Sequence, residues 1–497
     1  MKAYESLEEH FAEFYRLQEI MSVLRWDYAT TMPAGAAKAR SEQFATLKSL
    51  IHERVVDPKV GGWLEEIGDG EGLDEWQRAN AREIRHLWTH TSSVPSELVR
   101  KRSRMETRCE MVWRTAKEDD DFDRLAPHLQ QLLEVTREIA TIKAEALGVD
   151  PYDALLGWYD PGMTAEKVDA VFDDLAGFLP GFLEEVLDKQ ARLPEPANPE
   201  GPFELERQEA LARRLMEAWT FDFDHGRLDT SLHPFCGGYP EDVRITTCYK
   251  EGDFLRSTMA VLHETGHALY SRGLPKQWRT QPVGRARGMS VHESQSLFVE
   301  MQVGRSQSFV HWAAPLYREA FGGSDEAWSE ANIHQLKTRV QRSLIRVDAD
   351  EVTYPLHVIL RYRLERELLG GDLEVEDLPQ AWDESMEQLV GIRPQNDREG
   401  CMQDIHWVSG IFGYFPTYTL GALMAAQLFE AMSQEISDVE EAIEEGNFGV
   451  LREWLRENIH RRGCLKSTDA LLREVTGSDL DAKYFKEHLK KRYLDEQ

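Results

Sequence analysis

Apolar residues three and four apart recur along nearly the whole chain, and that period constrains the fold more than any other feature. From Leu125 they run through Leu129, Leu132, Leu133, Ile139 and Ile142, a spacing that keeps one face of a helix buried. Gly148 and Pro151 then supply a stop. The pattern returns at 170–187, at 352–369 and through the last third, and in the first hundred residues it breaks at Met32-Pro33-Ala34-Gly35. Four prolines between 193 and 202 require a loop, and the acidic run 118–123 reads as a solvated turn into a helix. Only 227–235 and 242–249 alternate with β-branched residues, around Gly237-Gly238-Tyr239-Pro240. They read as two short strands and a turn. The expectation is a mainly α, large helical single-unit fold over 1–497, with a small antiparallel sheet. Within it, 1–192 is an N-terminal helical part, and 203–497 holds the strands and the helices that follow them.

Composition removes several functions. With 58 Lys and Arg against 88 Asp and Glu the net charge is −30, which opposes nucleic acid and anionic membranes as partners. The stretch 407–429 has no charged residue, but Gly410, Gly413, Pro416 and Gly421 interrupt it, so it reads as buried core rather than a membrane span. Five cysteines without a CxxC pair suit a reducing compartment and oppose a thiolate metal site. With a charged start and no apolar leader, the expectation is a cytoplasmic protein.

The strands lead into a helix that Asp253 can cap and Gly273 can end, and inside it lies His263-Glu264-Thr265-Gly266-His267. Residues four apart on a helix project from one face a turn apart, so two neutral imidazoles can share one Zn²⁺. Glu264 points beside that metal, where it can take a proton from an activated water. Burying these three groups without a metal or partners would cost several kcal/mol, on the order of the polar-burial penalty. A catalytic zinc takes three protein ligands and keeps one position open. Tyr270 and Gly273 stand where a third-histidine pattern would need glycine and histidine, so that class is excluded. Glu293, 26 residues after His267, is the best third ligand, with Glu300 as the fallback.

HExxH followed by His292-Glu293-Ser294-Gln295 resembles the thermostable carboxypeptidase Taq family of metallocarboxypeptidases. Its other blocks are present in order: Trp26-Asp27 with Met32-Pro33, 151–156, His233-Pro234-Phe235, and 242–246 as DxRxT. Then come 345–350 as IRxxAD, 400–407 as GxxQDxHW, and 413–418. One departure is Cys248, where many relatives carry arginine. The resemblance spans essentially the whole chain and implies a deep active-site cleft, with 203–497 as the zinc-binding catalytic part. It implies zinc on His263, His267 and Glu293, with Co²⁺ or Mn²⁺ as possible substitutes, and Glu264 as base. It places His406 and Tyr418 against the cleft as oxyanion donors, with Tyr414 as the alternative tyrosine. A carboxypeptidase must also hold the substrate's α-carboxylate, for which arginine is best suited. Arg346 is the first candidate and Arg244 the second; a pairing of Arg346 with Asp348 or Asp350 is the competing reading. Asp350 is also a candidate for orienting a metal histidine.

The implied protein is a homodimer that releases single C-terminal residues from peptides with a free carboxylate, with broad preference and sparing proline. The alternatives are an oligo-endopeptidase or dipeptidyl carboxypeptidase with the same zinc chemistry, and a non-catalytic peptide-binding helical protein.

Overall fold

The computed structural model describes residues 2–495, and helices carry most of them, as the period requires. The helix Lys2–Thr30 ends just before Pro33, and Ala37–Val55 follows. The acidic run is the turn between Ser96–Asp119 and Phe122–Leu147, where Asp121 accepts from the Arg124 amide. Gly148, at φ 70°, ends the second of these helices and Pro151 starts the next. The proline-rich run lies in the loop 191–204, between Ala165–Gln190 and Leu205–Ala218. One buried apolar cluster nevertheless runs from Cys109 to Tyr493, across that loop.

The sheet differs from its sequence reading. It has three strands, β1 (Gly226–Thr230), β2 (Phe235–Tyr239) and β3 (Asp242–Thr247), in the order β1-β3-β2. β1 pairs with β3 in parallel and β2 pairs with β3 antiparallel, so the sheet is mixed rather than antiparallel. The glycines read as a turn lie inside β2, and Pro240-Glu241 make the reversal. Gly238 is there for close approach: at φ +88°, a Cβ would stand 1.9 Å from the Asp242 carbonyl oxygen. Alternation identifies strand-forming residues but not their partners, and glycine reads as a turn when its actual duty is proximity.

Against this sheet lies the helix Phe254–Gly273, capped by Asp253, which accepts from the Arg256 amide. Val261 and Ala268 join the cluster built on β1 and β3, while Leu262 and Leu269 belong to the main core. The helix Gly288–Leu297 crosses it and continues into a π-helical turn, Phe298–Val303. The uncharged stretch is buried and partly irregular: a 3-10 turn at Trp407–Ser409, left-handed glycines at 410 and 413, then the helix Pro416–Glu435. Among the described residues, no helix is long and apolar enough to cross a membrane.

Candidate metal centre and cleft

Two glycines set the spacing of the site. A Cβ on Gly266, inside the histidine motif, would lie 2.4 Å from the Gln295 carbonyl oxygen and 2.6 Å from Ser296 Cα. A Cβ on Gly421 would lie 2.7 Å from Glu293 Cβ. The helix carrying Glu293 is thus held between two neighbours that approach it at backbone distance. Its start is fixed as well: Gly288 takes φ +68°, and the Ser290 hydroxyl donates to buried Asp160.

That packing brings His263, His267 and Glu293 together, with one ligand atom from each within 4.8 Å of the others. Glu293 Oε2 stands 3.8 Å from His263 Nε2 and 3.4 Å from His267 Nε2. Both Nδ1 atoms are engaged behind the site. His263 Nδ1 lies 2.9 Å from Glu300 Oε2, and His267 Nδ1 lies 3.1 Å from the His292 carbonyl oxygen. Each contact suits an Nδ1–H donor and leaves the Nε2 lone pair for a cation. Glu300, the fallback candidate, therefore stands behind His263 against its Nδ1 and is not among the three groups that converge. It sits on the π-helical turn, braced by Arg305 at 3.1 Å. Burial favours a neutral Glu293, but His263 and the hydrogen bond from His267 prevail and hold it down to about 2. Burial likewise opposes charge on His263, yet Glu293, Glu300 and Glu264 push it up to about 10. The site holds negative charge in excess, as a divalent cation requires. Glu264 is 7% exposed, and burial raises its proton affinity against the pull of both histidines.

Within electrostatic reach of Glu293 stands an aromatic wall. His406 Nε2 is 3.2 Å from the Tyr418 hydroxyl, and the Tyr414 and Tyr418 rings are 5.2 Å apart. Burial and the charge of Glu293 both raise the two phenols, which keeps them protonated donors. Burial and Arg346 bring His406 down to about 4, so its ring is neutral. Tyr354, which carries no motif signal, joins the wall 6.1 Å from Tyr418 and also feels Glu293.

The two arginines sit differently. Arg346 lies over Tyr418 at 5.2 Å and donates to the Tyr354 hydroxyl at 3.0 Å. Its counter-ion is Asp404, at 2.7 Å, which also pairs with buried Arg361 at 2.6 Å. Asp348 instead reaches toward Arg256, and Asp350 accepts from the backbone amides of Gln341, Val352 and Thr353. Asp350 therefore ties down the turn that leads into the helix Tyr354–Gly370 rather than a metal histidine, both its carboxylate oxygens being taken by backbone amides ahead of that helix. Arg244, on β3, pairs with Asp242 and stacks on Trp26 at 4.4 Å. Its partners belong to the sheet and the first helix. Asp404, from the GxxQDxHW block, is thus the carboxylate that holds both guanidiniums in place.

The sequence profile of the carboxypeptidase Taq (M32) metallopeptidases matches residues 6–493. Thermostable carboxypeptidase 1 of Thermus thermophilus is 38% identical over 507 residues, covering 99% of this chain and 98% of that protein. Among solved structures, metallocarboxypeptidase 1 of Trypanosoma cruzi superposes with a TM-score of 0.98 at 43% identity, over 100% of both chains. The Apo-Mg form of the Pyrococcus furiosus carboxypeptidase gives 0.95 at 32% identity, over 99% of each.

Proposed function

This chain belongs to the carboxypeptidase Taq (M32) family of metallopeptidases, and from that premise we infer how its cleft hydrolyses the C-terminal peptide bond. The observation that carries the reading is the convergence of His263 Nε2, His267 Nε2 and the Glu293 carboxylate, with Glu264 beside them. That donor set suits zinc, with Co²⁺ or Mn²⁺ as substitutes. Such an ion, when bound, supplies Lewis acidity for a water and a carbonyl. Glu264, whose burial raises its proton affinity, takes the proton of the attacking water and passes it to the leaving amine. Tyr418, with His406 behind its hydroxyl, donates to the developing oxyanion, and Tyr414 is the alternative donor.

Arg346 holds the substrate's α-carboxylate, aided by the Tyr354 hydroxyl in the same wall. Asp404 already neutralises part of its charge, so its free N–H groups rather than net charge give the recognition. Arg244 is assigned to the far end of the cleft. Single residues leave, with broad preference and proline excluded, from a homodimeric cytoplasmic protein.

The test is a ten-residue peptide and its C-terminally amidated twin, incubated with zinc-loaded protein and followed by mass spectrometry. Stepwise loss of single residues from the free peptide alone is expected. Internal cleavage of both peptides would make the protein an endopeptidase and remove Arg346 from its role. Light scattering tests the dimer, and metal analysis of protein purified without added ions tests the zinc.

A further inference from the structure

Between the N-terminal helices and the loop that leads into the aromatic wall there is a second cavity, of about 380 Å³. None of the metal-facing residues lines it. Its lining sets apolar side chains, Val94, Ile139, Leu155, Phe412 and Trp158, beside polar ones. Two of the polar side chains are short of partners. The Lys143 ammonium sits 5.1 Å above the Trp158 ring, and among the described residues it has no ion pair within 4.0 Å. Burial and the neighbouring Arg102 push it down to about 8, as expected of a cation short of counter-charge. His90, 2% exposed, lies between the His86 and Trp158 rings, tilted to both, and its buried Nδ1 has no hydrogen-bond partner. Burial and the His86 ring hold His90 neutral, so it offers a polar contact without adding charge. Arg102, by contrast, is satisfied: it pairs with Glu106 at 2.6 Å and donates to the Gly410 carbonyl oxygen at 2.8 Å.

A cavity of this size that combines apolar side chains with convergent polar groups has the build of a small-molecule site. From Lys143 and His90 beside the apolar side chains of this cavity, we propose that it binds a small monocarboxylate with an apolar or aromatic body, its carboxylate on Lys143 and its body against Trp158. The site is distinct from the peptide cleft but adjoins it, since Tyr159 lines the cavity and meets Tyr414 edge-on at 5.0 Å. Two sources share this chemistry: simple carboxylic acids, and the free amino acids that carboxypeptidase action releases. Glu106 distinguishes them, because it also lines the cavity and can accept an α-ammonium.

The test is calorimetric titration of the metal-loaded protein with 3-phenylpropionate and, separately, with phenylalanine, alongside inhibition kinetics on a peptide substrate. A binding event that does not compete with substrate is expected, and Lys143→Met should weaken it about tenfold or more, the scale of one lost charged hydrogen bond. Peptide hydrolysis in the absence of either acid should be unchanged by that substitution. Tighter binding of 3-phenylpropionate assigns the site to simple acids; tighter binding of phenylalanine assigns it to released amino acids, with Glu106 taking the ammonium. Only substrate-competitive binding in the unsubstituted protein, or a non-competitive event that Lys143→Met leaves intact, would overturn the proposal. Failure of the peptide assay itself would instead count against the hydrolytic reading, because the calorimetry does not depend on turnover.

Discussion

Glu264 and Glu300 both stand beside His263, yet their surroundings give them opposite duties. Burial makes Glu264 hold a proton more readily, which suits a group that must take one and release it. Glu300 is half-buried, which favours its neutral form, but the hydrogen bond from His263 and the charge of Arg305 keep it ionised, which suits a fixed acceptor. Glu264→Gln should therefore lower kcat by about 10²–10⁴-fold, the usual contribution of a general base, with metal content unchanged. Glu300→Gln should leave kcat at saturating metal nearly intact and weaken metal affinity by about 10–100-fold. Chelator competition measures that affinity, and equal loss of kcat in the two variants would refute the division of labour. The two histidines and Glu264 are legible in the sequence because helix geometry fixes residues four apart, whereas Glu293, on another helix, is reached by its distance from His267 and by the block His292-Glu293-Ser294-Gln295. The sequence left Glu300 ambiguous because the spacing there passes through a π-helical turn, where the usual angle per residue no longer holds. Tyr354 and the Arg346–Asp404 pair are tertiary facts: no local period brings residues 346, 354, 404 and 418 to one wall.

At the scale of elements, the glycine inside the histidine motif does as much for the site as its ligands. Gly266 meets backbone atoms of the crossing helix, which cannot swing aside as a flexible side-chain tip can. Gly266→Ala should destabilise the protein by about 1–3 kcal/mol, the usual cost of overpacking, and lower its metal occupancy. Gly177 is the control. It lies within Ala165–Gln190, exposed, with nothing within 4 Å of an added Cβ. Gly177→Ala should raise stability by up to about 1 kcal/mol through helix propensity alone. Thermal melts with parallel metal analysis would separate the two, and an unaffected Gly266→Ala protein would remove close packing as the reason for that glycine. Helices were readable from period and caps because those signals are local. The sheet was read only in part, since β1 reaches β3 in parallel through a connection that leaves no pattern in the sequence.

Across the whole molecule, the metal site is tied to the end of the chain. Arg492, 4% exposed, donates to the carbonyl oxygens of Met301 at 2.6 Å and Gln302 at 2.9 Å, on the π-helical turn that carries Glu300. Its counter-ion is Glu351, at 2.9 Å, which also accepts from Tyr493 at 3.0 Å and meets His488 at 2.7 Å. Burial alone would raise the Glu351 carboxyl, but Arg492 and His488 hold it well below the usual carboxylate range. A carboxyl depressed in the folded state adds stability above its unfolded pKa, about 4.3 for glutamate, and that stability is lost as pH falls below it. Arg492→Met removes the main counter-charge and leaves a buried carboxylate whose pKa must rise. The variant should lose about 3–5 kcal/mol at pH 7, the cost of breaking a buried pair from one side. That loss should shrink toward pH 4, where Glu351 can protonate in the variant and the unsubstituted protein is itself giving up the pair's contribution. Denaturant midpoints of both proteins at pH 7 and pH 4 measure the two differences. If the loss were the same at both pH values, Arg492 would be holding the turn by its backbone contacts alone, and Glu351 would have no part in it.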